Sequence, residues 1–428
     1  MSGRTSPQQL KRELGIVGAT VMGLGSIIGT GVFVSIGLAA GIAGPAVILA
    51  VVIGALVATC NGLSSAQLAA NHAVSGGTYE YGYKYLNPWL GFTAGWMFLL
   101  AKTASAATAA LGFASYLLSA TNLTKHGLLV PTALAAVFVL TGVALAGIRR
   151  SNVANIAIVS ISLLSLGFFI IAGLPTAIAA GADNLTPFFN GSIATVLQAS
   201  ALMFVAYTGY GRIATLGEEA KAPQTTIPRA MIVTMVVTML LYCAVAVVGV
   251  GSVGAKALSA SPQAQAAPLV VAVQNFGIPG ETQVLTIGAI TAMLGVLLNL
   301  LLGLSRVLLA MGRRRDMPQL VAHLNKSGTT PSLAVLIVGL VIAGLVLIGN
   351  VKTTWSFSAF SVLIYYAITN LAALRLSVTE RLYPKWVAWA GLIACIFLAF
   401  WVEQQIWLFG LALIFAGLIW HTAAQRHS

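Results

Sequence analysis

The residues able to do chemistry in this chain are the ones that interrupt its apolar runs. Gly23, Gly25, Gly29 and Gly31 fall in GLGSIIGTGVF, and Gly209 and Gly211 fall in YTGYG at 207 to 211. Glycine inside a helix costs about 0.8–1.0 kcal/mol relative to alanine, so leucine would have built the same helices more easily. The clusters predict a break in each helix. An unwound turn presents N–H groups beside a helix N-terminus, which suit an anion, and free carbonyl oxygens, which suit a cation. A zwitterion such as an amino acid offers both charges. Hydrogen bonds to charged groups contribute about 1.5–3 kcal/mol each, so a few of them offset the glycines. The competing reading is close helix packing between small residues.

Two basic residues also stand inside apolar runs. Lys102, in GWMFLLAKTASAATAALGF, lies about thirteen residues into its run, or roughly 20 Å deep at the rise of a helix. A charge at that depth costs about 2.5–3.5 kcal/mol on insertion scales, which makes Lys102 a candidate for proton coupling. A structural lysine bonded to carbonyls of an unwound helix is the other reading. Arg212 follows the second glycine cluster as a buried charge; guanidinium stays protonated, so its expected part is to pair an acid or fix carbonyl ends. Glu218 and Glu219 come next and are read either as an inner gate or as solvated loop acids. The GRRRD run at 312 to 316 is read first as a topology determinant, ahead of a gating pair through Asp316.

The elements that must position these residues are membrane helices. Of the 428 residues 58% are hydrophobic and 7% charged, with a mean hydropathy of +0.94; soluble domains carry about 25% charged residues. About 20 apolar residues cross a bilayer as a helix, and twelve such windows lie near 14–40, 44–70, 89–119, 128–148, 152–177, 193–217, 227–253, 283–311, 331–350, 354–376, 384–402 and 405–421. Lys125, Lys256 and Lys352 fall on one set of alternate loops, Lys102 and Arg212 inside spans, and the rest of the 22 basic residues on the other set. This bias places both termini in the cytoplasm and accounts for a net charge of +13 without nucleic acid. The first span is expected to be retained, since its apolar run is too long for a signal peptide.

Spans one and six each begin a set of five, and each carries its interruption near the middle. Five is odd, so the halves run in opposite directions. Breaks at matching positions of two such halves point to an inverted-repeat transporter with its site at mid-membrane. The expected organisation is a cytoplasmic segment 1–13, a first repeat 14–177, an inverted second repeat 193–376, two peripheral helices over 384–421 and a cytoplasmic tail 422–428. An enzyme is disfavoured: His72, His126, His323, His421 and His427 fall in loops or at the chain end, and no HExxH or GxSxG is present. Cys60, Cys243 and Cys395 have neither disulfide nor metal spacing. No catalytic residue, cofactor, metal or partner subunit is implied, and a channel or receptor would not need two matched breaks.

GSIIGTGVF, the stretch LSSAQLAANHAVSGGTYEYGYKYLNPWLGFTAGW at 63 to 96, FVAYTGYGRIATLGEEAKAPQTTIPRA and SRVLLAMGRRRDMP at 305 to 318 resemble the amino acid permeases of the amino acid, polyamine and organocation (APC) superfamily. The resemblance covers most of the first ten spans. It implies an all-α integral membrane protein of the LeuT type, about twelve transmembrane helices with a five-plus-five inverted repeat and broken first and sixth helices, in the cell (inner) membrane. Carried over by position, it assigns the substrate carboxylate to amides around Gly29, Thr30 and Gly31, and the amino group to carbonyls near Ile27, Ile28, Ala206 and Tyr207. Phe204 and Tyr210 become candidates to cover the ligand.

Two departures bear on coupling. Sodium-coupled relatives hold an ion between carbonyls matching Gly25 and Ile28 and hydroxyls on the eighth span, where this chain has Leu294 and Gly295 with Thr291 and Asn299 nearby. Many sodium-independent relatives place a lysine on the fifth span, where this chain has Ser160 and Ser162. Lys102 is therefore expected to supply that charge. The function read from the sequence is secondary transport of neutral L-amino acids, with protons as the first choice of coupling ion; sodium-independent exchange and facilitated uptake stay open. The basic pair disfavours polyamines, lysine and arginine, and leaves an anionic substrate open.

Overall fold

The computed structural model describes residues 14–72, 76–121, 123, 127–147, 152–189, 191–214, 220–260, 266–325 and 330–426. Glu218 and Glu219, expected near an inner gate, lie outside the described residues. The described chain is helical, with a single isolated bridge between Leu14 and Ala220 and no strand. In chain order the helices are α1 (Ile16–Ile27), α2 (Ile36–Ala43), α3 (Val47–Asn71), α4 (Thr78–Tyr85), α5 (Pro88–Ala120), α6 (Leu129–Leu145), α7 (Asn152–Ala179) and α8 (Ile193–Tyr207). They continue as α9 (Gly211–Ala214), α10 (Pro223–Val253), α11 (Pro268–Val273), α12 (Glu281–Arg313), α13 (Ser332–Val346), α14 (Val351–Leu374), α15 (Lys385–Ala399) and α16 (Gln404–Arg426).

Helix occupies every apolar window read from the sequence. Among the described residues eight helical segments are long and apolar enough to cross a membrane, and Ile16–Ile27, Leu129–Leu145, Ser332–Val346 and Lys385–Ala399 are shorter apolar helices. The protein is a multi-pass membrane protein. Helix suits these spans because a backbone in lipid can only bond to itself, which helix achieves without help from side chains.

α5 lies along α14 and α12, while α3 packs against α8 and α10. α1 fits between α10 and α7 and touches both α9 and the turn before it. The two interrupted helices are therefore neighbours in the centre, with α3, α5, α10, α12 and α14 around them. Large apolar side chains such as Trp386, Phe397, Phe409, Phe415 and Ile419 face outward on α15 and α16, as a lipid-facing surface does.

The first interruption is narrower than four glycines suggest. Gly23 and Gly25 sit within regular α1, where an added Cβ would meet Ile213 at the first and the Asn155 side chain, 2.6 Å away, at the second. They are packing glycines. The break itself begins at Ile28, which is extended at φ −72° and ψ 110°, and the chain resumes as a π-helical turn over Gly31–Ser35 before α2. The second interruption falls where expected: α8 ends at Tyr207, Thr208–Tyr210 form a 3-10 turn, and α9 starts at Gly211.

Candidate functional site at the two helix breaks

The breaks touch. A Cβ on Gly209 would collide with the Ser26 carbonyl, and one on Gly31 would stand 2.7 Å from the Cβ of Ala206. Only glycine allows backbone to approach backbone this closely, so these two positions need it for contact. Tyr242, fully buried on α10, donates its hydroxyl to the Ile27 carbonyl at 2.9 Å and has the Ala206 carbonyl 3.4 Å away. One side chain thus spans both interruptions. The Gly29 amide, at the turn, has no backbone acceptor among the described residues.

A cavity of about 490 Å³ opens at this junction, a volume in the usual range for small-molecule sites. Of the residues singled out in the sequence, Ile27, Thr30, Gly31, Lys102, Ala206, Gly209, Gly211, Arg212 and Asn299 line it. Thr30 is 4% exposed and its hydroxyl has no hydrogen-bond partner among the described residues. A buried hydroxyl left unbonded is unfavourable, which makes Thr30 Oγ1 a group awaiting a ligand or water. The Tyr81 hydroxyl, also on the cavity wall and buried, is in the same condition.

Lys102 reaches the second break. Its ammonium donates to Thr208 Oγ1 at 2.9 Å, and that hydroxyl donates in turn to the Val205 carbonyl at 2.8 Å. The lysine is held by the hydroxyl of an unwound turn, close to the second of the two readings of its role, while its place on the cavity wall leaves the first intact. Arg212 departs from expectation. Rather than a buried charge it is exposed, because α9 restarts the helix just past the turn and directs this residue to the cavity mouth.

Other candidates stand back from the cavity. Ile28 and Gly29 are buried behind its wall, Gly29 against Val296. Phe204, Tyr207 and Tyr210 are fully buried; Phe204 and Tyr210 pack on Tyr366 with ring centroids 5.8 and 5.2 Å apart, and Tyr207 packs on Tyr242 at 5.1 Å. The aromatics that do face the cavity are Tyr81, Phe98, Trp355, Tyr365 and Tyr366. Single-sequence reading missed them because an aromatic on an apolar helix carries no mark of which face it occupies. Ser162 gives its hydroxyl to the Ile158 carbonyl of its own helix, and Ser160 is exposed on the outside of α7. Neither reaches the cavity. Asn155, Ser105 and Asn299 do, and among the lining residues described there is no carboxylate.

The cavity wall includes exposed residues on one side. Exposed Arg212 and Arg306 stand at its rim with Gly76, Gly77 and Thr78. Towards the other face Tyr116 donates to the Phe33 carbonyl at 2.7 Å and the Trp355 indole donates to the Leu202 carbonyl at 3.0 Å, both buried. Those bonds close α5 onto the first broken helix and α14 onto the second.

Asp316 does not belong to the solvated basic run that its sequence neighbours suggest. It is 3% exposed and accepts from Tyr79 at 2.6 Å and from Tyr83 at 2.7 Å. His421 Nδ1 lies 3.2 Å from its other oxygen. His421, placed at the chain end by its position in sequence, is completely buried on α16.

Known proteins are similar to this chain over most of its length. A transporter of Mycobacterium tuberculosis whose substrate is uncharacterised is 40% identical over 397 residues, 93% of this chain and 88% of its own length. Two Bacillus subtilis proteins are more distant: a methylthioribose transporter at 28% identity, covering 88% of this chain and 83% of its own, and a branched-chain amino acid permease at 29%, covering 78% and 74%. The profile of the family described as amino acid permease matches residues 18–425, a stretch that takes in both breaks, the cavity and the last helix, and the chain belongs to that family.

Proposed function

We propose that this permease is a secondary active transporter of neutral L-amino acids that works by alternating access around the cavity and is driven by protons, with Lys102 as the coupling group. The observation that carries the reading is the meeting of two helix breaks at a cavity that offers an unbonded Thr30 hydroxyl and an ammonium but no carboxylate among its described lining residues. A zwitterion suits such a wall: its carboxylate goes to the turn at Gly29–Gly31 and its amino group to carbonyls near Ile27 and Ala206. Lys102, Arg212 and Arg306 repel a cationic side chain. The plant relatives named as cationic amino acid transporters, at 28% identity or less, are for that reason poorer guides to the substrate than the branched-chain permease.

In this reading the helices form about twelve spans in two inverted five-helix repeats of the LeuT type, and α15 and α16 lie outside them. The cavity mouth, beside the basic residues Arg306, Arg313 and Arg314, faces the cytoplasm in this reading, as do both termini, in the cell membrane. The structure then represents the inward-open state. Closing that mouth while parting the Tyr116 and Trp355 bonds would expose the same site to the other side.

The test is uptake of labelled alanine into liposomes containing the purified protein, in sodium-free buffer, with and without an inward proton gradient. Accumulation above the equilibrium level only with the gradient is expected. Uptake that ignores the gradient but depends on internal amino acid would replace proton symport with exchange.

A further inference from the structure

α4 is a wall with two working faces. Thr78 and Tyr81 line the cavity, and on the opposite side Tyr79 and Tyr83 hold Asp316. The segment is separated from its neighbours at both ends. Gly76 and Gly77 precede it at φ 141° and 57°, backbone that L side chains rarely adopt, and Asn87 begins a new helix by accepting from the Leu90 amide at 2.9 Å. Eight residues between two chain breaks make a unit that can move as a body.

What holds that unit comes from three other helices. On the cavity side the Thr78 amide donates to Tyr365 at 3.2 Å, and the Thr78 and Thr369 hydroxyls are 2.6 Å apart, tying α4 to α14. On the far side Asp316, just beyond α12, gathers both tyrosines. Burial, and then the bond to Asp316, push the hydroxyls of Tyr79 and Tyr83 well above the usual tyrosine range, so both remain donors throughout the working pH range. Arg314 lies over the Tyr83 ring at 4.1 Å and pairs with Glu80 at 2.6 Å. The last helix closes the cluster: Trp420 donates its indole N–H to the Asp316 carbonyl at 3.0 Å, His421 contacts the carboxylate, and the imidazole stacks on Phe92 of α5 at 4.5 Å.

A buried carboxylate is tolerated when it is bonded on all sides, and removing one partner leaves the others exposed to a charge they no longer balance. Asp316 is held from two sides: the α4 tyrosines donate to its carboxylate, while on α16 Trp420 donates to its main-chain carbonyl and His421 stands 3.2 Å from Oδ1. The last helix therefore grips the same residue as the cavity wall.

We propose that Asp316 is a positioning residue for transport and, with His421 and Trp420 of the last helix, latches α4 in the position that keeps the cavity mouth open. Release of the latch frees α4 to pivot at Gly76–Gly77 and cover the mouth. The proposal rests on the alternating-access reading above. It gives α16 a part in the transport cycle.

The experiment is thiol accessibility in the full-length protein in liposomes. Gly303 lines the cavity and has open space where a Cβ would go, so Gly303→Cys serves as reporter, with the parent chain as the background for its own cysteines. A bulky maleimide is applied from the mouth side with and without alanine. Asp316→Asn, Tyr83→Phe and His421→Phe, the last of which keeps the stack on Phe92, are each combined with the reporter. Labelling is expected to slow by about tenfold in Asp316→Asn, the equilibrium equivalent of one hydrogen bond to a charged group, and to slow by less in the other two. Alanine should change the rate in the reporter alone, and if it does not, alternating access is wrong whatever the variants show. If alanine acts but the variants label as fast as the reporter or faster, the latch is overturned. Lower melting temperatures with unchanged labelling of the folded fraction would also overturn it and leave Asp316 a purely structural residue.

Discussion

The ammonium of Lys102 stands 2.9 Å from the hydroxyl of Thr208, so a lysine on one unbroken helix is fastened to the turn that interrupts another. That contact joins a charge to the second helix break. Any change in the charge of Lys102 is felt first by the 3-10 turn at Thr208–Tyr210, whose carbonyl at Thr208 also accepts from Tyr366 at 3.3 Å.

Replacing Lys102 with methionine should therefore separate two activities. Gradient-driven accumulation is expected to disappear, and the pH dependence of uptake to flatten, while exchange of labelled for unlabelled alanine continues at a reduced rate. Measured in the same liposomes, a gradient response equal to that of the parent protein would remove Lys102 from coupling and leave it as a tether for the second break.

Thr30→Val is expected to separate binding from stability. The hydroxyl has no hydrogen-bond partner among the described residues, so exchanging it for a methyl group of the same shape should leave the melting temperature unchanged or slightly higher. KM should rise about tenfold, the equivalent of a hydrogen bond to a charged group. A fall in melting temperature with KM unaltered would mean that the hydroxyl serves the fold alone.

The glycines should divide by location. Gly209→Ala forces a Cβ into the Ser26 backbone, and an overpacked contact of this kind costs about 1–3 kcal/mol, with transport falling at least as steeply because both breaks shift. Gly23→Ala meets the flexible end of Ile213 and is expected to cost less and to leave transport near the parent rate. Thermal melts and uptake on the same two preparations check the order; the reverse order would place the functional break at the wrong glycine.

Tyr242→Phe removes the hydroxyl that ties Ile27 and, more loosely, Ala206. A loss of about 1 kcal/mol in stability is expected for the missing bond, and uptake should slow because the two turns are no longer held in register. Unchanged melting and unchanged uptake together would show that contact between Gly31 and Ala206 is sufficient to align them.

Much of this protein was legible before its structure. Apolar windows located the helices because a lipid-facing helix must announce itself in composition: each of its exposed side chains is apolar and its backbone bonds are internal. The break at 207 to 211 was equally plain, since Gly209 and Gly211 have few other reasons to interrupt a membrane helix. The first break was read too broadly. Gly23 and Gly25 are as small as Gly29 and Gly31, and one sequence does not say whether a glycine bends its own helix or admits a neighbour such as Asn155.

Residue type and depth singled out Lys102 as a charge inside an apolar helix and determined that the chain is a membrane protein with two interrupted helices. Tertiary structure decided what those features face: that Lys102 meets Thr208, that Arg212 turns to the cavity mouth, that Tyr366 rather than Phe204 lines the cavity, and that Asp316 and His421, more than a hundred residues apart in sequence, share one buried cluster. The physical reason is that hydropathy records only whether a helix can enter lipid. Which stripe of an all-apolar helix turns inward depends on the shapes of the neighbours it packs against, and those come from distant parts of the chain.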